Sequence, residues 1–118
     1  MKYDNVNNPK HYADSCSIEC IDAMVITFGY EAVMDFCLCN AYKYLWRHKN
    51  KNGYEDLEKA RWYMRKVTKL YDDYLLSPTV TKTKIDFRKF DTLDNMILEH
   101  MDKWRYEHKL EEEDDIQQ

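Results

Sequence analysis

Apolar side chains recur along this chain at intervals of three and four residues, the period of helices that bury one face. Ile18, Ile21, Val25 and Phe28 mark a first helix, with Ser17 placed to cap it and Gly29 to end it. Val33, Phe36, Cys37, Asn40, Ala41, Tyr44 and Leu45 fall on or near one face of a second helix, Tyr30 to Arg47. The clearest repeat belongs to a third, Tyr54 to Leu76, where Leu57, Ala60, Met64, Val67, Tyr71 and Tyr74 form a heptad-like seam. Leu93, Ile97, His100 or Met101, Trp104 and His108 mark a fourth, expected from a cap at Asp91 or Thr92 to about Glu111.

The segments between these stripes carry the residues that stop helices. Residues 1–16 read as an extended arm, because Asn7, Asn8 and Pro9 oppose helix. His48 to Gly53 is a polar turn, and Ser77 with Pro78 ends the third helix. Residues 79–90, β-branched and basic, predict a short strand or an extended linker. The acidic run Glu111 to Asp115 opposes the dipole of a helix C-terminus and is expected to fray. The pattern as a whole predicts an all-α fold, a small bundle of about four helices with an N-terminal arm. Residues 1–76 form its helical unit. Residues 77–118 add a linker and a helix packed on that unit or on a neighbouring subunit. The long third helix asks for a wide apolar partner, which predicts a homo-oligomer.

Composition narrows the chemistry. The chain has 118 residues but only two glycines and two prolines. Gly29 and Gly53 cannot build a glycine-rich phosphate loop, and a many-turned β-sandwich lacks its turn residues. No apolar run reaches the roughly 20 residues of a membrane span. The first ten residues are polar, unlike a secretory signal, so the expected compartment is the cytosol. Cys16, Cys20, Cys37 and Cys39 lack the spacing of a structural zinc knuckle. They read as free thiols rather than as a metal site shared with His11 or His48.

The net charge of −4 conceals a strong segmentation. Residues 1–42 hold two basic and six acidic side chains, residues 43–70 nine and three, and residues 71–118 seven and 13. A basic middle segment suits an anionic ligand. The acidic stretch beside it argues against nucleic acid as that ligand.

Three groups of residues in or near this segment could carry chemistry. Asn40, Lys43, Tyr44 and Arg47 share one helix face. Asn40 interrupts an apolar stripe, and a buried amide needs its hydrogen bonds met. Lys43 and Arg47 are donors for phosphate oxygens, and Tyr44 or Trp46 could stack on a base. Asp56, Lys59, Trp62 and Tyr63 open the third helix, which the turn brings back along the second. Asp56 could there orient Lys59 or Arg47, bind a sugar hydroxyl or hold a metal. Asn8-Pro9-Lys10-His11-Tyr12 could lay His11 and Tyr12 over the cleft, with Glu19 and Asp22 as partners for the imidazole. His48, His100 and His108 show no evident partners in the sequence.

Taken in order, Asn8 to Tyr12, Ile18 to Asp22, Phe36-Cys37, Asn40 to Arg47 and Asp56 to Tyr63 resemble a small tailed-phage protein family. That family is catalogued as a domain of unknown function and is related to the P-loop-less nucleotide kinase of podovirus coliphages. The resemblance covers roughly residues 5–74. It implies a nucleotide or other phosphorylated small molecule as ligand, in the cytoplasm of the host cell. It also implies a site formed by His11, Tyr12, Asn40, Lys43, Arg47, Asp56 and Lys59. Together with the helix-face reading, the expectation is that His11, Lys43, Arg47, Asp56 and Lys59 act on phosphates and protons, and that Tyr12, Asn40, Tyr44, Trp46, Trp62 and Tyr63 line the ligand. Where the family often carries Gly before the motif's Asn, this chain has Cys39. The leading expectation is a nucleotide-binding protein resembling a nucleoside monophosphate kinase. It requires no cofactor beyond Mg2+ arriving with the nucleotide. The alternative is a non-enzymatic protein that sequesters a nucleotide signal or binds a host defence protein.

Overall fold

The computed structural model describes the backbone of residues 19–117 and the side chains of residues 19–109. Four helices lie in this stretch: α1 (Cys20–Phe28), α2 (Tyr30–Arg47), α3 (Tyr54–Leu76) and α4 (Arg88–Gln117). The extended arm, with His11 and Tyr12, and the expected cap Ser17 lie outside the described residues; α1 starts at Cys20 with Glu19 in extended conformation at its N-cap, later than a Ser17 cap would set it.

Gly29 separates α1 from α2. Its N–H donates to the Val25 carbonyl at 2.8 Å, and its φ of 91° is one that L side chains rarely adopt. The chain can therefore stop one helix and start the next within a single residue. Gly53 closes the longer turn over 48–53 before α3, with φ 58° and its N–H on the His48 carbonyl at 2.9 Å. The resulting turn lays α3 back along α2.

One core joins all four helices. It takes Ile21 from α1, Val33, Cys37, Ala41 and Leu45 from α2, Leu57, Ala60, Met64 and Val67 from α3, and Leu93, Ile97 and Met101 from α4. The α3 seam is thus covered by helices of its own chain, and the width of that seam is no longer a reason for a second subunit. Two members of the predicted stripes turn outward, Phe28 at 68% exposure and Phe36 at 38%. Phe28 is the last residue of its short helix, and Phe36 lies at the edge of a face that Met34 fills instead.

Among the described residues there is no strand, so the segment after Pro78 is a linker. The Tyr74 hydroxyl accepts from the Thr83 N–H at 2.5 Å and donates to the Thr83 carbonyl at 3.1 Å, tying the linker to α3. Phe87 then packs edge-on against Tyr71, with centroids 4.5 Å apart. Helix α4 begins at Arg88, ahead of the expected Asp91 or Thr92, because the Asp86 carboxylate accepts from the Arg88 backbone N–H at 2.9 Å. It also runs to Gln117, past the expected end near Glu111, since no glycine or proline follows Pro78 to stop it.

Candidate functional site

The turn between α2 and α3 organises the basic face. Asp56, in the first turn of α3, is fully buried. Its carboxylate accepts from the Asn52 backbone N–H at 3.1 Å and from the Asn52 amide at 3.4 Å, reaching back past the helix start as a capping side chain does. Arg47 Nε supplies a third donor at 3.4 Å. A buried carboxylate is costly to leave unmatched, and this one is matched on both oxygens. Of the roles open to Asp56, the geometry selects the orientation of Arg47. The Asp56–Lys59 pair does not form among the described residues; Lys59 meets Glu55 at 3.5 Å instead.

The Tyr44 ring is the centre of the cluster. Lys43 Nζ lies 4.7 Å from its centroid, the Arg47 guanidinium carbon 5.1 Å and Lys59 Nζ 5.7 Å. These are cation–π distances. Tyr44 stacks on Tyr63 at 5.9 Å, and Trp62 stands edge-on to Tyr63 at 4.9 Å. Residues distant in sequence thereby become one cationic, aromatic-floored surface across α2 and α3. Lys43 makes no ion pair among the described residues, so its charge is offset only by the ring.

Two predicted residues stand apart. Asn40 is half-buried, and its amide donates to the Phe36 carbonyl one turn back at 3.2 Å, a local bond rather than a core contact. Trp46 is 76% exposed, stacks on Tyr42 and lines a separate hollow with Met96 and His100. Helical geometry explains this, because position 46 lies about 100° from position 47, off the Tyr44 side. Cys39 likewise lines the groove between α2 and α4, with Tyr42, Leu93 and Met96. His11 and Tyr12 lie outside the described residues.

Three histidines do acquire partners. His48 Nδ1 donates to the Leu45 carbonyl at 2.5 Å, its ring is 5.1 Å from that of His100, and His108 stacks on Trp104 at 3.4 Å. The His48–His100 pair was hidden because it joins the α2–α3 turn to α4, and the His48–Leu45 and His108–Trp104 bonds use backbone carbonyls that any residue supplies; the His108–Trp104 stack itself follows from the shared stripe. Among the described residues no three His, Cys, Asp or Glu side chains are grouped to hold a metal ion. Cys37 is buried, and burial pushes its thiol up to about 11, consistent with a packing role. No described helix is long and apolar enough to cross a membrane.

Neither a curated protein nor a solved structure matches the chain. A family model described as a protein of unknown function, DUF3310, matches residues 6–65. That span holds α1, α2, the turn and the first half of α3, and with it every residue of the cationic face. On this match, the chain belongs to the DUF3310 family.

Proposed function

We propose that this is a phage-encoded nucleotide-binding protein whose phosphate-binding surface is the cluster of Lys43, Arg47 and Lys59 around Tyr44. One observation carries the reading: three cations from two helices converge on one tyrosine ring. The neutral ring holds Lys43 without neutralising it, and Arg47 and Lys59, whose carboxylate contacts are single and at 3.4–3.5 Å, keep further N–H donors for phosphate oxygens. The paired rings of Tyr44 and Tyr63, with Trp62 beside them, offer a surface for a base.

In the enzymatic form of this proposal, the terminal phosphoryl group of a nucleoside triphosphate passes to a phosphate oxygen of a nucleoside monophosphate. The cations offset the charge on the group in flight, Mg2+ arrives with the nucleotide, and His11 assists proton transfer. The test is thin-layer separation of products after mixing monophosphates with labelled triphosphate. Label should appear in a diphosphate and be lost in Lys43→Ala and Lys59→Ala. No transfer by the unaltered protein removes the enzyme. Nucleotide affinity should fall about tenfold with each lysine removed, or ~1.4 kcal/mol; unchanged affinity removes the site. The proposal includes a cytoplasmic location in the host cell and, on the exposed apolar side chains of Ile26, Phe28 and Leu76 rather than the α3 seam, a homo-oligomer; a monomer mass by light scattering would remove the latter.

Asp56 favours a second reading. Its oxygens are committed to Arg47 and Asn52, so this carboxylate supports the cleft rather than acting on a substrate, and Glu55 is drawn to Lys59. This suits sequestration of a nucleotide signal without turnover, or capture of an acidic surface on a host defence protein. Nucleotide recovered unchanged after denaturing the complex would favour sequestration; recovered product would exclude it.

A further inference from the structure

A second cationic hollow lies between the α2–α3 turn and α4 and shares no residue with the Tyr44 cluster. It is a cleft of about 330 Å³, with His48 and Lys49 on the turn side and His100 and Lys103 on the α4 side. Trp104, with His108 stacked on it, forms an aromatic wall. The volume is at the lower end of the range of small-ligand sites.

His48 is only 8% exposed. Its Nδ1 carries the proton given to the Leu45 carbonyl, which fixes the ring's orientation toward His100. Neither Lys49 nor Lys103 forms an ion pair among the described residues, nor does either imidazole. Glu107 is the one carboxylate lining the cleft, and Glu99 acts weakly on His100 from outside it. Two imidazoles and two ammonium groups thus face one another with little negative charge between them.

We propose that this cleft is an anion site for a small phosphate-type ligand, held against the adjoining His48 and His100 rings with Lys49 and Lys103 at its rim. The proposal does not depend on nucleotide binding at the Tyr44 face. His100 is held below its ordinary pKa of 6.5, first by desolvation and then by His48, Lys49 and Lys103, with Glu99 opposing. Without an anion, the folded chain therefore takes up this proton less readily than the unfolded chain. The stability His100 contributes is present above pH 6.5 and is lost as pH falls through the folded value. An anion in the cleft beside the two rings offsets the positive charge gathered there, so proton uptake and anion binding strengthen each other by the same factor.

The test follows the imidazole resonances of the full chain through a pH titration, with inorganic pyrophosphate or with chloride at matched ionic strength. Saturating pyrophosphate should raise the His100 midpoint by about one unit, which equals a tenfold preference of the anion for the protonated ring. The Lys49→Gln/Lys103→Gln double variant changes two exposed side chains and should lose most of that rise. Lys43→Gln/Lys59→Gln, altered at the other face, should keep it. A midpoint that pyrophosphate leaves unmoved overturns the site. So does an undiminished rise in Lys49→Gln/Lys103→Gln, or its loss in Lys43→Gln/Lys59→Gln.

Discussion

In the α2–α3 hairpin, the buried Asp56 takes hydrogen bonds from Arg47 and Asn52 and so fixes the turn that sets two helices side by side. Among its described side chains, helix α4 has no buried carboxylate of this kind. Leu93, Ile97 and Met101 seat it, and its direct ion pair to α2, Lys89 with Asp35 at 2.6 Å, is about half exposed. Polar geometry specifies the first region because the carboxylate at its centre is dry and its bonds are directional. In the second, apolar burial supplies the energy and the surface charges add little. The contrast extends to the cations. Arg88, Lys89 and Arg105 of α4 meet carboxylates at 2.6–3.1 Å, whereas around Tyr44 the carboxylates are at 3.4–3.5 Å or absent. The better-paired charges are the worse candidates for binding anything else.

Four substitutions probe this difference, all read by urea denaturation. Ile97→Ala should cost about 3 kcal/mol, because the side chain is fully buried and its loss leaves a cavity under α4. A cost near that of a surface change would mean α4 is seated by something other than its stripe. Asp56→Ala should cost about 2 kcal/mol by leaving Arg47 and Asn52 without their acceptor. If Asp56→Ala proved neutral, the polar account of the hairpin would fail. Tyr74→Phe removes both bonds to Thr83 and should cost about 1 kcal/mol, with protease cutting in the linker becoming faster. Lys89→Ala should cost about 0.5 kcal/mol or less. A larger loss there would erase the distinction between the two regions.

The hairpin was the more legible region in the sequence as well. The bounds of α2 and α3 agree with those expected because Gly29, Gly53 and Pro78 punctuate them unambiguously. The start of α4 was misread because three candidate acceptors, Asp86, Asp91 and Thr92, stand close together, and only the Phe87–Tyr71 packing and the bond to Arg88 single out Asp86. Of the candidate site, the shared face of Lys43, Tyr44 and Arg47 follows from helical spacing alone. The approach of Lys59 and Tyr63 needed the turn. Burial of Asp56 was hidden, since a carboxylate in the first turn of a helix is ordinarily solvated and only the fold back onto Asn52 encloses it. The His48–His100 pair joins residues 52 apart, a distance that no local period reports.

The buried Cys37 gives the molecule a built-in timer. Its thiol is enclosed by the helix packing and pushed up to about 11, while Cys39, two residues away, is exposed. A pulse of alkylating reagent should mark Cys39 at once and reach Cys37 only in molecules whose hairpin has opened. The ratio of the two adducts on a single peptide then counts opening events, with one cysteine as the clock and its neighbour as the dose standard.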